Sequence, residues 1–219
     1  MTYTTIHLVR HGEVHNPDHV LYERLPGYHL SDRGHRMAER TALYLAANHS
    51  TAHAAAVFSS PLERAQETAG AIVDAINPQR AARGEEPLAV RSDGRLIEAG
   101  NEFRGTTVGR GEGALWRNGN WRLVTNLYRP SWGETYRHIA RRMNDFVQSA
   151  VDAFPDGDVI VVSHESPIWT FRCLMETGRP EHNMFKRTVA LASVTSFTFD
   201  NATHRLVGIA YADPASRVR

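Results

Sequence analysis

A chain of 219 residues with 42% hydrophobic and 22% charged content holds enough apolar material for a full core and reads as one globular domain, 1–219. Twenty-five Lys+Arg against 24 Asp+Glu leave a formal net charge of +1, which argues against nucleic acid or an anionic membrane as partner. Cys173 is the only cysteine, so no internal disulfide can form. With no apolar run near roughly 18 residues and no leader-like start, the expectation is a cytoplasmic protein without a membrane span.

Ile6 to Val9 is a short apolar run, read as a buried strand. It stops at Arg10-His11-Gly12-Glu13. Ligands of open α/β sheets bind beyond the carboxyl ends of the strands, which is where this stretch falls. Arg10 offers a fixed fork of donors matched to phosphate. His11 offers a nitrogen nucleophile that is largely neutral near pH 7. Gly12 lets the backbone turn sharply and approach a ligand. The alternative is a strand end with a solvated arginine and a packed histidine. His7, His11, His15 and His19 recur every four residues, but a helical metal stripe is ruled out by the strand, by Gly12 and by Pro17.

An irregular stretch runs from Pro17 to Leu30. Ser31 then reads as the N-cap of a helix over 32–47, whose apolar face carries Met37, Ala38, Ala42, Leu45 and Ala46. Ala54 to Ser59 is the next strand. Ser60-Pro61-Leu62-Glu63 reads as a capping box with proline at the first helical position, opening a helix along Leu62, Ala65, Ala69, Ile72, Val73 and Ile76. Arg64 falls in its first turn, where a cation opposes the helix dipole and an anion nearby would offset the cost. The alternative is a solvated surface arginine. Asn77 to Pro87 reads as a polar loop, and Leu88 to Val90 as a weak strand.

Leu96-Ile97-Glu98 leads into a segment, 99–133, with neither helical nor strand period. It holds five arginines (Arg104, Arg110, Arg117, Arg122, Arg129), two glutamates (Glu102, Glu112) and the tryptophans Trp116, Trp121 and Trp132. Long irregular segments in compact domains are often lids. This one reads as an irregular lid insertion over an anionic substrate, with Arg104 and Arg110 as candidate substrate contacts. The alternative is a solvated excursion. Gly133-Glu134-Thr135 precedes an amphipathic helix marked by Ile139, Met143, Phe146, Val147 and Ala150. Val159 to Val162 is a wholly apolar strand, suited to the centre of a covered parallel sheet. It ends in Ser163-His164-Glu165, and Ser166-Pro167 reads as the cap of a helix through Met175. Ser193–Phe199 and Arg205–Tyr211 read as a hairpin or edge pair.

Arg10-His11, Arg64, Glu98 and His164 thus fall just past strands. If those strands are parallel neighbours, the four converge on one crevice. Two arginines and two histidines can surround a phosphate, and Glu98 is the one acid placed to give or take a proton.

The pattern resembles the histidine phosphatase superfamily in its phosphoglycerate-mutase-like branch. The matching stretches are Arg10-His11-Gly12-Glu13 with Asn16, Leu30-Ser31-Asp32-Arg33-Gly34, Ser59-Ser60-Pro61-Leu62-Glu63-Arg64-Ala65, Leu96-Ile97-Glu98, Gly133-Glu134-Thr135 and Val162-Ser163-His164. They follow the family's order. The resemblance implies a three-layer α/β/α sandwich with a mostly parallel central sheet and no metal or other cofactor. It implies His11 as the phosphorylated nucleophile, Arg10, Arg64, His164 and Asn16 as the phosphate pocket, and Glu98 as the general acid. A protonated His164 would add to the charge stabilisation.

Two departures stand out. Glu165 replaces the family's usual glycine; it must point away or pair with a lid arginine, or else select a cationic or hydroxyl-rich substrate. The Tyr-Gly continuation after Glu98 and the later Arg-Arg-Ser run of the glycolytic mutases are missing, which favours hydrolysis of a small phosphorylated metabolite. The alternatives are a phosphoglycerate mutase and a non-catalytic phospho-ligand-binding module.

Overall fold

The computed structural model describes residues 2–107, 133–183 and 186–218. The apolar run at Ile6–Val9 is the buried part of strand β1, Tyr3–Arg10. Helix α1, Asp32–Ala47, starts at Ser31, whose hydroxyl accepts the Gly34 N–H at 2.9 Å. A short helix α2 (His49–Ala52) leads to β2 (Ala56–Ser59) and α3 (Glu63–Ala82). Then come β3 (Val90–Ser92), a 3-10 turn at Gly94–Leu96, α4 (Tyr136–Ala153), β4 (Asp158–Ser163) and α5 (Glu165–Thr177). The antiparallel pair β5 (Val194–Asp200) and β6 (Leu206–Ala212) closes the order.

The six strands form one sheet in the order β3-β2-β4-β1-β5-β6. The first four are parallel; β5 runs antiparallel to β1. Side chains alternate across the pleat, so each strand feeds two cores. Ile6, Leu8, Val159 and Val161 pack with Ile139, Phe146, Val147 and Phe171 of α4 and α5. Val9, Val57, Ile160 and Val162 pack with Leu45, Ala69, Ile72 and Ile76 of α1 and α3. The sheet is therefore mixed, mostly parallel and flanked by helices on both faces. No helix among the described residues is long and apolar enough to cross a membrane.

Several local expectations need correction. Ser60 does not build a capping box: Leu62 stands at the N-cap of α3 without a side-chain bond, because the Ser60 hydroxyl is engaged by His164 at 2.7 Å. The polar loop expected from Asn77 is the last part of α3, which runs through Pro78 to Ala82. Proline removes one helical hydrogen bond. Anchorage compensates: Gln79, Arg80 and Arg83 donate to the carbonyls of Ala46, Ala54 and Ala52 at 3.1, 3.2 and 2.9 Å. β3 forms at Val90–Ser92 rather than 88–90, where it can pair with Val57–Ser59 of β2. α5 starts at Glu165 with His164 at its N-cap, so Ser166 and Pro167 lie inside the first turn. The need for glycine at Gly12 comes from packing, since a Cβ there would lie 2.5 Å from the Gly34 carbonyl oxygen where α1 crosses the end of β1. Of the 99–133 insertion, Arg110, Glu112, Trp116, Arg117, Trp121, Arg122, Arg129 and Trp132 lie outside the described residues.

Candidate active site

Register brings the two histidines together. Arg10 at the end of β1 is the lateral partner of Ser163 at the end of β4, so His11 and His164 leave neighbouring strands side by side. Their rings meet edge to face with centroids 5.0 Å apart. The Ser60 N–H bonds the Val162 carbonyl at 2.9 Å, which draws the start of α3 to the same end of the sheet. Arg64 sits there with 0% exposure, so the surface alternative does not hold.

Hydrogen bonds assign the His11 tautomer. Nδ1 lies 2.7 Å from the Gly12 carbonyl oxygen and must donate to it. Nε2 then carries the lone pair and accepts from Arg64 Nε at 3.3 Å. Burial, then the charges of Arg64 and Arg10, hold His11 well below its ordinary 6.5, despite the opposing Gly12 bond. Its ring is neutral with Nε2 as the free base. Burial, then Arg64 and His11, likewise depress His164. The protonated His164 expected during phosphoryl transfer therefore needs the charge of a bound anion to offset these neighbours.

Three polar nitrogens in this cup are buried without a partner: the donors Arg64 Nη1 and Arg10 Nε, and His164 Nδ1. Buried donors normally find an acceptor, and leaving one unmet costs about 1–3 kcal/mol. The remaining donors are spent on orientation. Arg64 Nη2 donates to the Glu23 carbonyl at 2.5 Å and its guanidinium lies 4.8 Å from the Tyr22 ring centroid. Arg10 Nη1 donates to the Val189 carbonyl at 2.5 Å. Its Nη2 pairs with Glu165 at 3.2 Å. Among the described residues Glu165 is thus paired with Arg10, because its place at the start of α5 faces the end of β1.

Glu98 reaches the site on the turn after β3. Its Oε1 accepts the Ala99 N–H at 2.8 Å, and its carbonyl accepts Arg24 Nε at 2.6 Å. Burial raises its carboxyl, and this outweighs the lowering by the Ala99 bond, Arg64 and Arg187. Glu98 is not the only acid. Glu23 lies beside it, pushed up to about 7 by burial and by the Glu98 charge. Glu23 accepts from Asn101 at 3.1 Å and holds a left-handed backbone (φ 37), unusual for a residue with a side chain. Tyr22, Glu23 and Arg187 were not legible in the sequence. They come from irregular segments, and only the presence of titratable residues near the motifs marks them.

Two further candidates stand apart. The Asn16 amide closes a turn on Val20, donating to its carbonyl at 2.9 Å and accepting from its N–H at 3.0 Å. Arg104 is exposed. Among the described residues, no group of three or more His, Cys, Asp or Glu is placed to hold a metal ion.

The mixed, mostly parallel sheet presents paired histidines and two arginines at its strand ends, the arrangement of an α/β protein with its site beyond the carboxyl ends of the strands. The chain belongs to the histidine phosphatase superfamily (branch 1), whose profile matches residues 6–211. It is 45% identical over 214 residues to the uncharacterized protein Rv0525 of Mycobacterium tuberculosis, covering 97% of this chain and 98% of that one. In structure it is similar to the mycobacterial glucosyl-3-phosphoglycerate phosphatase Rv2419c (TM-score 0.75, 20% identity, 96% of this chain and 99% of that chain). It is also similar to the phosphoglycerate mutase of Bacillus anthracis (TM-score 0.69, 20% identity, 99% of this chain and 95% of that chain). These structural likenesses concern the fold.

Proposed function

We propose that this chain is a phosphomonoesterase that hydrolyses a small phosphorylated metabolite through a phosphohistidine at His11 Nε2. The observation that carries this reading is the buried cup itself. A neutral imidazole presents its lone pair beside two arginine donors and a ring nitrogen of His164 that have no partner of their own.

A phosphate dianion entering the cup takes the free N–H groups of Arg64 and Arg10, bonds His164 Nδ1 once that nitrogen carries a proton, and draws Arg64 Nε away from His11. Its negative charge also offsets the neighbours that keep His164 neutral. The Nε2 lone pair attacks phosphorus as the P–O ester bond breaks. Charge spread over the three equatorial oxygens is met by fixed guanidinium donors. Glu98, whose raised pKa favours the protonated form, gives its proton to the departing oxygen. In the second half, Glu98 takes a proton from water, the water oxygen attacks phosphorus, and the P–N bond breaks to return His11 and release orthophosphate. The proton balance closes on Glu98, with Glu23 sharing the site. Asn16 can add a donor only through the amide hydrogen not used on Val20.

The test is to incubate the protein with para-nitrophenyl phosphate and a panel of phosphorylated metabolites, and to measure orthophosphate and the organic product. Orthophosphate release supports the reading. An isomerised ester that depends on a bisphosphate primer would instead make it a mutase, and saturable binding without turnover a phospho-ligand-binding module.

A further inference from the structure

His7 has no part in the cup. It stands four residues before His11, roughly 13 Å away along an extended chain. Both of its ring nitrogens are nonetheless engaged. Its lateral partner on β5 is Ser196, whose Oγ lies 2.8 Å from His7 Nδ1. On the other side, β4 opens with Asp158, which pairs with Thr5 in register and so lies diagonal to His7. Asp158 Oδ1 lies 2.8 Å from His7 Nε2. A carboxylate can only accept, so Nε2 carries the hydrogen. In the neutral ring Nδ1 is then the acceptor, and the Ser196 hydroxyl donates to it. Carboxylate, imidazole and hydroxyl thus form one hydrogen-bonded chain across the neighbouring strands β4, β1 and β5. Asp158 makes no other ion pair among the described residues, so its charge is dedicated to His7.

The chain of polar groups interrupts an apolar face. Val9 and Val194, the next lateral pair on that face, are buried with residues of α1 and α3. His7 is buried as well, at 8% exposure, while Ser196 is half-buried. A cavity of about 90 Å³ opens beside them between the sheet and α1, lined by His7 and Ser196 together with Tyr44, Leu45 and Asn48. Asn48 uses its amide oxygen on the Ser50 N–H and hydroxyl, both at 3.1 Å, a turn that does not use its amide hydrogens. Tyr44 adds a phenolic hydroxyl to the same wall.

We propose that Ser196 is a second nucleophile of this chain, activated by His7 and Asp158, and that it cleaves small carboxylic esters independently of the His11 cup. The Ser196 oxygen attacks the ester carbonyl carbon as its proton passes to His7 Nδ1, and the imidazolium is held by Asp158. The carbonyl oxygen, as it gains charge, has the Asn48 amide and the Tyr44 hydroxyl as available donors. The carbon–oxygen bond to the alcohol then breaks, His7 returns its proton to the departing oxygen, and the acyl group stays on Ser196. Water reverses the sequence: His7 takes its proton, the water oxygen attacks the acyl carbon, and the carboxylic acid leaves with Ser196 restored. In the serine-protease triad the carboxylate meets Nδ1 and the hydroxyl meets Nε2; here the two nitrogens are exchanged, and the proton path is the same. The small cavity restricts the acyl group to a short one such as acetyl.

The probe is para-nitrophenyl acetate, followed by stopped-flow absorbance and by peptide mass mapping after an acid quench. The wild type should release a burst of about one para-nitrophenolate per chain and carry an acetyl group on Ser196. Ser196→Ala should lose both burst and label while releasing orthophosphate from para-nitrophenyl phosphate at the wild-type rate. His7→Gln should lower kcat/KM for the acetate by about 10²-fold or more, and Asp158→Asn by less. Absence of a burst, acetyl on His11 or on any residue other than Ser196, or ester turnover that survives Ser196→Ala overturns the proposal and leaves the three side chains as a strap between strands. The peptide map is read on the wild-type chain, so it decides the matter even if a variant does not fold.

Discussion

Glu98 and Glu134 are neighbours through the backbone and opposites in chemistry. Glu134 is only 8% exposed in its side chain and is saturated with donors: Arg142 Nε at 2.8 Å, Arg24 Nη2 at 2.6 Å and His138 Nδ1 at 2.6 Å. Burial alone would raise its carboxyl. The hydrogen bonds from Arg142, then the charges of Arg142 and Arg24, outweigh burial and hold it below 4.5. Glu98 takes a single backbone N–H and is raised instead. One arginine serves both, since Arg24 bonds the Glu98 carbonyl with Nε and the Glu134 carboxylate with Nη2. Gly133 completes the link: a Cβ there would lie 2.2 Å from the Gly100 carbonyl oxygen, and the Glu134 N–H bonds that same oxygen at 3.2 Å. The donor-rich carboxylate fixes the loop, whereas the donor-poor one is biased by burial toward its protonated form. A fold can thus use the same side chain as rivet and as acid by changing the number of donors around it.

This comparison can be broken in four places, beginning with the largest effect. His11→Ala removes the proposed nucleophile; turnover of para-nitrophenyl phosphate should fall by at least about a thousandfold, and acid-labile label on the protein should vanish. Retained turnover would falsify the nucleophile assignment. Glu98→Gln keeps the shape and removes the proton. Esters with poor leaving groups should slow by about 10²–10⁴-fold while para-nitrophenyl phosphate slows far less. Equal slowing of both would remove Glu98 from the acid role.

Glu134→Gln strips the charge from the rivet and leaves the Arg24 and Arg142 guanidiniums facing a neutral group. The expected cost is about 3 kcal/mol, read from the urea midpoint. Because folded Glu134 is held below its ordinary 4.5, the stability it supplies is full above that pH and lost as pH falls through the folded value. The variant should therefore lack that part of the wild-type acid loss. If its stability changes with pH as the wild type's does, Glu134 is not the rivet.

Glu23→Gln should have the smallest effect. It keeps an acceptor for Asn101 but removes a like charge beside Glu98. Glu98 then loses its proton more easily, and the alkaline limb of the kcat profile moves to lower pH. An unmoved limb would mean that Glu23 does not tune the acid. Its own stability contribution has the opposite sign to that of Glu134: with its folded pKa raised to about 7, the stability is present below 4.5 and lost as pH rises through 7.

The sequence alone determined the parts whose position follows from period and strand ends. Short continuous apolar runs located β1 and β4. Because parallel strands place their ends in one row, Arg10-His11 and His164 could be assigned to one crevice before any coordinates. Arg64 and Glu98 followed from the same rule, and Ser31 from the chemistry of helix caps. Only the tertiary structure decided what those residues meet and which proton each carries. Arg10 takes Glu165 because β1 ends beside the start of α5. Ser60 serves His164 instead of its own helix for the same kind of reason, and Glu23, Tyr22 and Arg187 arrive from irregular segments that have no period to read. Protonation depends on burial and on charges brought from distant parts of the chain, and neither exists until the chain has folded.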